Sequence, residues 1–410
     1  MRAPLDVDVD VAVVGAGIHG AGIAQAAAAA GHSVLLLERS AIAAGTSSRS
    51  SKLIHGGLRY LESGQIHLVR ESLHERALLL RLAPKLVQLR RFHVPIYRQT
   101  RRRPWQLRAG LSAYALLAAF GRGGAFGTVP RRQWDQLDGL STDGLQAVFY
   151  YHDAQTDDRA LTRAVVQSAL SLGAQLICPA AFVSATLLDA GVRIDYAAPQ
   201  PAQCRARVLI NAAGAWAGTL ARAIAPAIAV PALERVQGSH IVLPVRIERG
   251  CYYLESPRDG RAVFALPWHE QLLLGTTETR FRGDPDRVQP TASEIHYLLG
   301  VLKHYFPRWR ELETTDVCSS FAGLRVLPAG RGHAFHRSRE TQLVADREHQ
   351  PRVLSVYGGK LTTWRFTAQC VLARCASSLP RRPALARTDQ LPLDPAAGDD
   401  AVAADRGARG

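Results

Sequence analysis

VDVAVVGAGIHGAGIAQAAAAAGHSVLLLE, from Val9 to Glu38, decides the fold. Every residue from Val9 to Val14 except Asp10 is apolar, as in a strand covered on both faces. The glycine turn Gly15 to Gly20 follows at once, then a helix through the alanine run, closed by Gly31, and a second apolar strand ending at Glu38. This is a βαβ opening. It carries GxGxxG in the context that makes the motif informative: after a strand, before a helix, with an acid about 20 residues on. Gly15 makes the tight turn, Gly17 lets backbone amides approach a pyrophosphate, and Gly20 lets the helix pack close to the strand. Glu38 is placed to accept hydrogen bonds from an adenosine ribose, and its charge would repel a 2′-phosphate. A dinucleotide is expected, and the motif alone does not separate a flavin from a nicotinamide.

With 410 residues, 47% of them apolar, the chain can bury an ordinary globular core in one large two-part unit or in two to three domains. The net charge of +15 favours acidic partners, but it is spread along the whole chain as arginine. Only Lys52, Lys85, Lys303 and Lys360 are lysines among the 50 Lys+Arg residues, and no lysine-rich block suggests nucleic acid. The six cysteines form no CxxC pair, so neither a zinc cage nor a disulfide framework is expected, and a cytoplasmic setting is the simplest. The acidic start is unlike a signal peptide, and Leu111 to Phe120 is about half of the ~20 residues a spanning helix needs.

Apolar spacing predicts an amphipathic helix over Gln65 to Leu82, with His67 and His74 on a solvated face and not as metal ligands. The stretch Tyr97 to Arg122 places arginines before Trp105, Leu107, Leu111, Tyr114, Leu117 and Phe120. Such an element can lie on an anionic membrane surface or simply pack on the domain. Asp157 or Asp158 can cap a helix that continues to Leu172. RVLINAAGAWAG repeats the order of buried strand, glycine and helix start, so Ala213 and Gly214 could also approach the dinucleotide. Alternating strands over Pro231 to Glu340 predict an antiparallel second domain. Arg352 to Phe366 reads as strand, Gly358-Gly359 turn and a helix from about Leu361, and Pro380 to Gly410, without periodicity, as largely disordered.

Eight motifs occur in order: GAGIHGAGIA, TSSRSSKLIHGGLRYLE, DAQTDDRALT, INAAGAWA, QGSHIVLP, LLLGTTET, FAGLRVLP and YGGKLTTWR. From about Asp10 to Leu393 the chain thereby resembles the FAD-dependent glycerol-3-phosphate dehydrogenases. The resemblance implies an α/β fold of the D-amino acid oxidase type: a Rossmann-type FAD-binding domain (1–90, 150–230, 341–379) and a mixed-sheet substrate domain (91–149, 231–340). It further implies oxidation of sn-glycerol 3-phosphate to dihydroxyacetone phosphate, electron transfer to membrane quinone, and peripheral contact with the inner face of the cytoplasmic membrane. A homodimer is left open. The chain stops where many members continue into a C-terminal helical domain, so it reads as a shortened form, and Val326 stands where the family usually has proline.

By matching motifs, Gly15, Gly17, Gly20 and Glu38 would hold the ADP half of FAD. Thr46, Ser47, Ser48 and Lys52 would follow the pyrophosphate and ring, and Gly359, Leu361 and Thr362 would line the flavin from the other end. Arg59, Tyr60, Arg325, Arg337 and Lys360 would face substrate. The chemistry asks for arginine forks on a phosphate dianion and a base for the C2 hydroxyl proton. His55 and His240 are both candidates for that base, with Lys360 positioning or stabilising the developing alkoxide. The rival readings are a same-fold oxidase yielding hydrogen peroxide, a dehydrogenase of another 2-hydroxy compound, and a basic protein that holds nucleotide without turnover.

Overall fold

The computed structural model describes residues 8–62, 64–118, 123–329 and 341–395. Val9–Val14 lies inside a sheet that has nine strands among the described residues, parallel to Val34–Leu37 on one side and to Pro201–Asn211 on the other. Gln175–Ile177 extends the parallel run beyond Val34–Leu37, and Val353–Tyr357 runs parallel to the end of Pro201–Asn211. Every residue of Val9–Val14 is buried. Asp10 tolerates this because Arg207 and Arg382 donate to its carboxylate at 3.0 and 3.1 Å.

Helices Ile18–Ala29, Asp158–Ser171 and Trp364–Cys375 cover one face of this sheet, and the first meets both of the others. Two missing side chains set that packing. A Cβ on Gly20 would lie 1.8 Å from the Gly15 carbonyl oxygen, and one on Gly22 would lie 2.3 Å from the fully buried Trp364 ring. The helix therefore seats against strand and neighbour only with glycine at both places.

The second sheet has ten strands among the described residues and is mixed. Leu233–Leu243 pairs antiparallel with Ser319–Pro328, Gln271–Gly275 and Thr279–Phe281, whereas Cys251–Glu255 runs parallel to Val87–Tyr97. The long antiparallel pair Val87–Tyr97 and Leu145–Thr156 also takes up the short strand Leu53–Ile54. The expected boundary at residue 150 thus falls inside a strand of the second sheet. The chain returns to the first sheet's helices only at Asp158.

One other expectation, the disordered tail, is altered. Residues 380–395 form no helix or strand, yet they are ordered against the first domain. Leu385 and Ala386 amides donate to the Ala29 carbonyl, the Leu393 amide donates to the Leu82 carbonyl, Arg382 pairs with Asp10, and Leu393 is buried. An extended segment needs no periodicity when single residues fill single anchor points; the rest of the expected tail lies outside the described residues. The apolar stripe after Tyr97 forms the helix Pro104–Leu117, and its Leu107, Leu111 and Tyr114 pack into the second sheet's core. Trp105 and Leu116 remain outside, 70% and 64% exposed. Among the described residues no helix is long and apolar enough to cross a membrane.

Candidate active site

The glycine turn forms as the sequence requires. Gly15 adopts φ +103°, where a Cβ would meet the Ala212 carbonyl at 2.8 Å. The helix behind it begins with Gly17 as cap and carries no acid in its own first turn, so groups from outside the helix meet its positive end. Ser47 Oγ accepts from the Ile18 amide at 2.9 Å. Glu38 turns its carboxylate inward: one oxygen accepts from the Ala16 amide at 2.9 Å, the other from the Ser40 amide at 3.0 Å. It therefore braces the turn as well as standing at the strand end where a ribose is expected. Thr46 donates to the Leu324 carbonyl and Ser48 to that of Gly45, and Gly214 takes φ +55° with open space where a Cβ would be.

The opposite side is the Gly358-Gly359 turn, at φ +78° and +95°. Helix Trp364–Cys375 starts three residues later than expected, with Thr363 as its cap. Leu361 packs on the core, while Thr362 Oγ accepts from the His55 amide at 3.1 Å and donates to the His55 carbonyl at 3.4 Å. That two-way bond joins the late glycine turn to the segment where the chain enters the second sheet. Two buried nitrogens here have no hydrogen-bond partner among the described residues, His19 Nε2 and Lys360 Nζ. His19 lies against Gly359, and burial pushes its imidazole down to about 4. Lys360 Nζ stands 4.3 Å over the ring of the buried Tyr60.

Next to this wall lies a cavity of about 110 Å³. Ser51, His55, Tyr60, Arg261, Glu278 and Arg325 line it, with Phe92, Tyr151, Tyr253 and Phe264 as apolar surface. Arg325 reaches it from strand Ser319–Pro328 and donates to Thr276 Oγ at 3.2 Å. Asp153 belongs to the wall too, but its carboxylate is committed to Arg76, the Tyr114 hydroxyl and the Gly56 amide. Gly57 takes φ +77°, and a Cβ there would strike the Tyr60 ring at 2.2 Å. Arg59 sits in the short helix Leu58–Glu62, and Arg337 lies outside the described residues.

Two expected residues are placed differently from one another. His240 is buried behind Ser51, whose Oγ lies 2.9 Å from its Nε2, with Phe321 stacked on its ring at 4.9 Å and Gly275 pressed on it so closely that a Cβ would lie 2.1 Å away. Burial first, then the charges of Arg325 and Lys52, hold it well below the ordinary imidazole range. Lys52 is turned into the protein. Its Nζ is buried, paired with Asp158 at 2.5 Å, bonded to the Ser48 carbonyl at 2.7 Å, and set 5.1 and 5.4 Å from the rings of Phe321 and Trp268. Asp157 makes the expected cap, accepting from the Arg159 and Ala160 amides. Asp158 answers Lys52, a pairing that a cap signature hides. Arg261 and Glu278 are among the cavity residues sequence reasoning missed. Their place follows from strand register, which only the fold reveals: Phe264 pairs with Gly275, so the residue before strand Ala262–Trp268 runs beside the GTTET motif.

A parallel nucleotide-binding sheet whose glycine turns share a wall with a cation-lined cavity in a second, mixed sheet defines a dinucleotide-dependent oxidoreductase. The family model described as FAD dependent oxidoreductase matches residues 10–379, and the chain belongs to that family. More particularly, it is a dehydrogenase of the glycerol-3-phosphate dehydrogenase subfamily. It is 37% identical over 380 residues to the glycerol-3-phosphate dehydrogenase of Pseudomonas aeruginosa, covering 91% of this chain and 72% of that one. It is also 34% identical to the D-erythritol 1-phosphate dehydrogenase of Brucella abortus, covering 91% and 74%. Among solved structures, the FAD complex of the Bacillus halodurans glycerol-3-phosphate dehydrogenase matches with TM-score 0.74 at 25% identity, covering 95% of this chain and 68% of that one. FAD is the cofactor, and the residues present fit it. The glycine turn has no Cβ atoms to crowd it, the helix behind it carries no acid in its own first turn, and His19 Nε2 and Lys360 Nζ have no hydrogen-bond partner among the described residues beside the second glycine turn.

Proposed function

We propose that this protein oxidises sn-glycerol 3-phosphate at C2 to dihydroxyacetone phosphate, with a membrane quinone as terminal acceptor. The observation that carries this reading is the continuity of the wall. One cavity contains both Arg325 and His55, and His55 is hydrogen-bonded to Thr362 of the cofactor cradle. When bound, FAD supplies a two-electron acceptor for the hydride from C2.

The chain supplies the rest. Arg325, steadied by Thr276, offers the substrate phosphate a planar fork, with Arg59 and Arg337 as further cations. His55 takes the C2 hydroxyl proton, because it stands in the cavity wall whereas His240 is sealed behind Ser51, Phe321 and Gly275. Lys360, without a hydrogen-bond partner among the described residues and steered by the Tyr60 ring, stabilises the developing alkoxide. The aromatic walls keep water out and so strengthen these interactions. Exposed Trp105, just after Arg101, Arg102 and Arg103, and exposed Leu116 at the far end of the same helix support contact with an anionic membrane surface.

Anaerobic mixing tests the reading: glycerol 3-phosphate should bleach the flavin absorbance faster than D-erythritol 1-phosphate, 2-hydroxyglutarate or unphosphorylated glycerol. No bleaching by any polyol phosphate refutes it, and a faster reaction with the erythritol compound reassigns the substrate. Quinone reduction should exceed peroxide formation; abundant peroxide identifies an oxidase. Binding to anionic vesicles should weaken with salt and with arginine-to-glutamate changes at 101–103, and absence of binding at low salt removes the membrane element.

A further inference from the structure

We infer that Arg261 and Glu278 together set the phosphate affinity of the cavity, Arg261 as a second phosphate-binding cation and Glu278 as the resident anion that competes for the same cations. The inference rests on the reading above that the substrate is phosphorylated. Arg261 immediately precedes strand Ala262–Trp268, and the pairing of Phe264 with Gly275 brings it alongside residues 276–278. Its Nη1 donates to the Glu278 carbonyl at 2.7 Å, and its Nε lies 3.5 Å from Asp259 Oδ2. Those contacts anchor the guanidinium at two of its nitrogens, and the side chain lines the cavity.

Arg325 approaches the same three residues from strand Ser319–Pro328, donating to Thr276 and standing 3.7 Å from Glu278 Oε1. Two planar forks are therefore tied to one short segment, as a tetrahedral dianion with several acceptor oxygens requires. Of the two acids in the described wall, Asp153 is committed to Arg76, whereas Glu278 stands in ionic contact with Arg325. Its side chain is nearly buried, and its 3.7 Å separation from Arg325 is an ionic contact longer than a hydrogen bond. A phosphate that makes true hydrogen bonds to both forks outcompetes it, while a weaker anion does not.

The test uses the FAD-loaded enzyme and inorganic phosphate, read by perturbation of the flavin spectrum and by competition with glycerol 3-phosphate. Arg261→Gln should raise the phosphate dissociation constant and KM roughly 10- to 100-fold, the range expected for losing a charged hydrogen bond, with a much smaller fall in kcat. Arg261→Lys, which keeps the charge but loses the fork, should fall between that and the wild type. Glu278→Gln should tighten phosphate binding. An Arg261→Gln enzyme that binds phosphate as the wild type does overturns the proposal, as does a Glu278→Gln enzyme that binds it more weakly. Should Arg261→Gln fail to retain FAD, wild-type phosphate affinity in Arg261→Lys overturns it instead. If phosphate binding depends on Arg261 but no polyol phosphate bleaches the flavin, the anion site stands and the substrate reading falls. Bleaching that is indifferent to Arg261 gives the reverse.

Discussion

Removing the carboxylate of Asp158 should destabilise the protein far more than removing the whole Lys52–Asp158 pair. Both side chains are buried, the ion pair measures 2.5 Å, and Lys52 Nζ has one other bond, to the Ser48 carbonyl. Asp158→Asn leaves an ammonium among Trp268, Phe321 and backbone, a loss of about 3–5 kcal/mol for a buried pair broken on one side. Lys52→Met combined with Asp158→Asn removes both charges and keeps an amide oxygen for the Ser50 amide, which now donates to Asp158 at 2.9 Å. The double variant should recover at least half of the loss, since a buried pair is worth little against an apolar replacement. Denaturant unfolding of the four proteins forms the cycle, and flavin per protein is measured on each. If Lys52 serves the fold, the double variant binds FAD; if it served the pyrophosphate, the double variant would release FAD while remaining folded. A double variant as unstable as Asp158→Asn, or stable but colourless, refutes the reasoning.

Gly20→Ala should yield folded protein with little flavin, because its Cβ would lie 1.8 Å from the Gly15 carbonyl oxygen at the centre of the cradle; a stoichiometric flavin content would contradict this. His55→Gln should slow anaerobic flavin bleaching by about 10²–10⁴, the usual worth of a general base, and His240→Asn by much less; the opposite order would exchange their roles. His19 is held at about 4 by burial, so between its ordinary value near 6.5 and 4 the unfolded chain takes up a proton that the folded one refuses. Stability should therefore fall as pH falls through that window, and His19→Asn should show a shallower slope in denaturant midpoints; identical slopes would exclude His19 as a contributor.

What the sequence made legible is what repeats or is spatially local. The strand, glycine turn and helix from Val9 to Ala29 follow from burial on both faces and from steric room at three glycines, and they form as expected. The late Gly358-Gly359 turn was equally readable. Pairings across the fold were not. Nothing near Lys52 announces Asp158, and in a chain rich in arginine nothing near Arg261 marks it as different. His240 looked equivalent to His55 because a sequence shows the residue type but not which of the two a neighbouring Ser, Phe and Gly have closed over. Residues 380–395 looked structureless for a related reason: isolated anchors such as Leu393 and Arg382 leave no period to detect.

The notch at Gly22, filled by Trp364, bears on how the protein is made. The cofactor cradle opens at the start of the chain, yet its helix finds its neighbour only when Trp364 arrives, and its second glycine turn hangs from a strand that pairs with Pro201–Asn211. During synthesis the amino-terminal unit must wait, with an apolar helix only partly covered, until nearly the whole described chain has left the ribosome. FAD capture therefore waits for the segment around Trp364, and a chain interrupted before Trp364 carries the nucleotide motif without the means to close it.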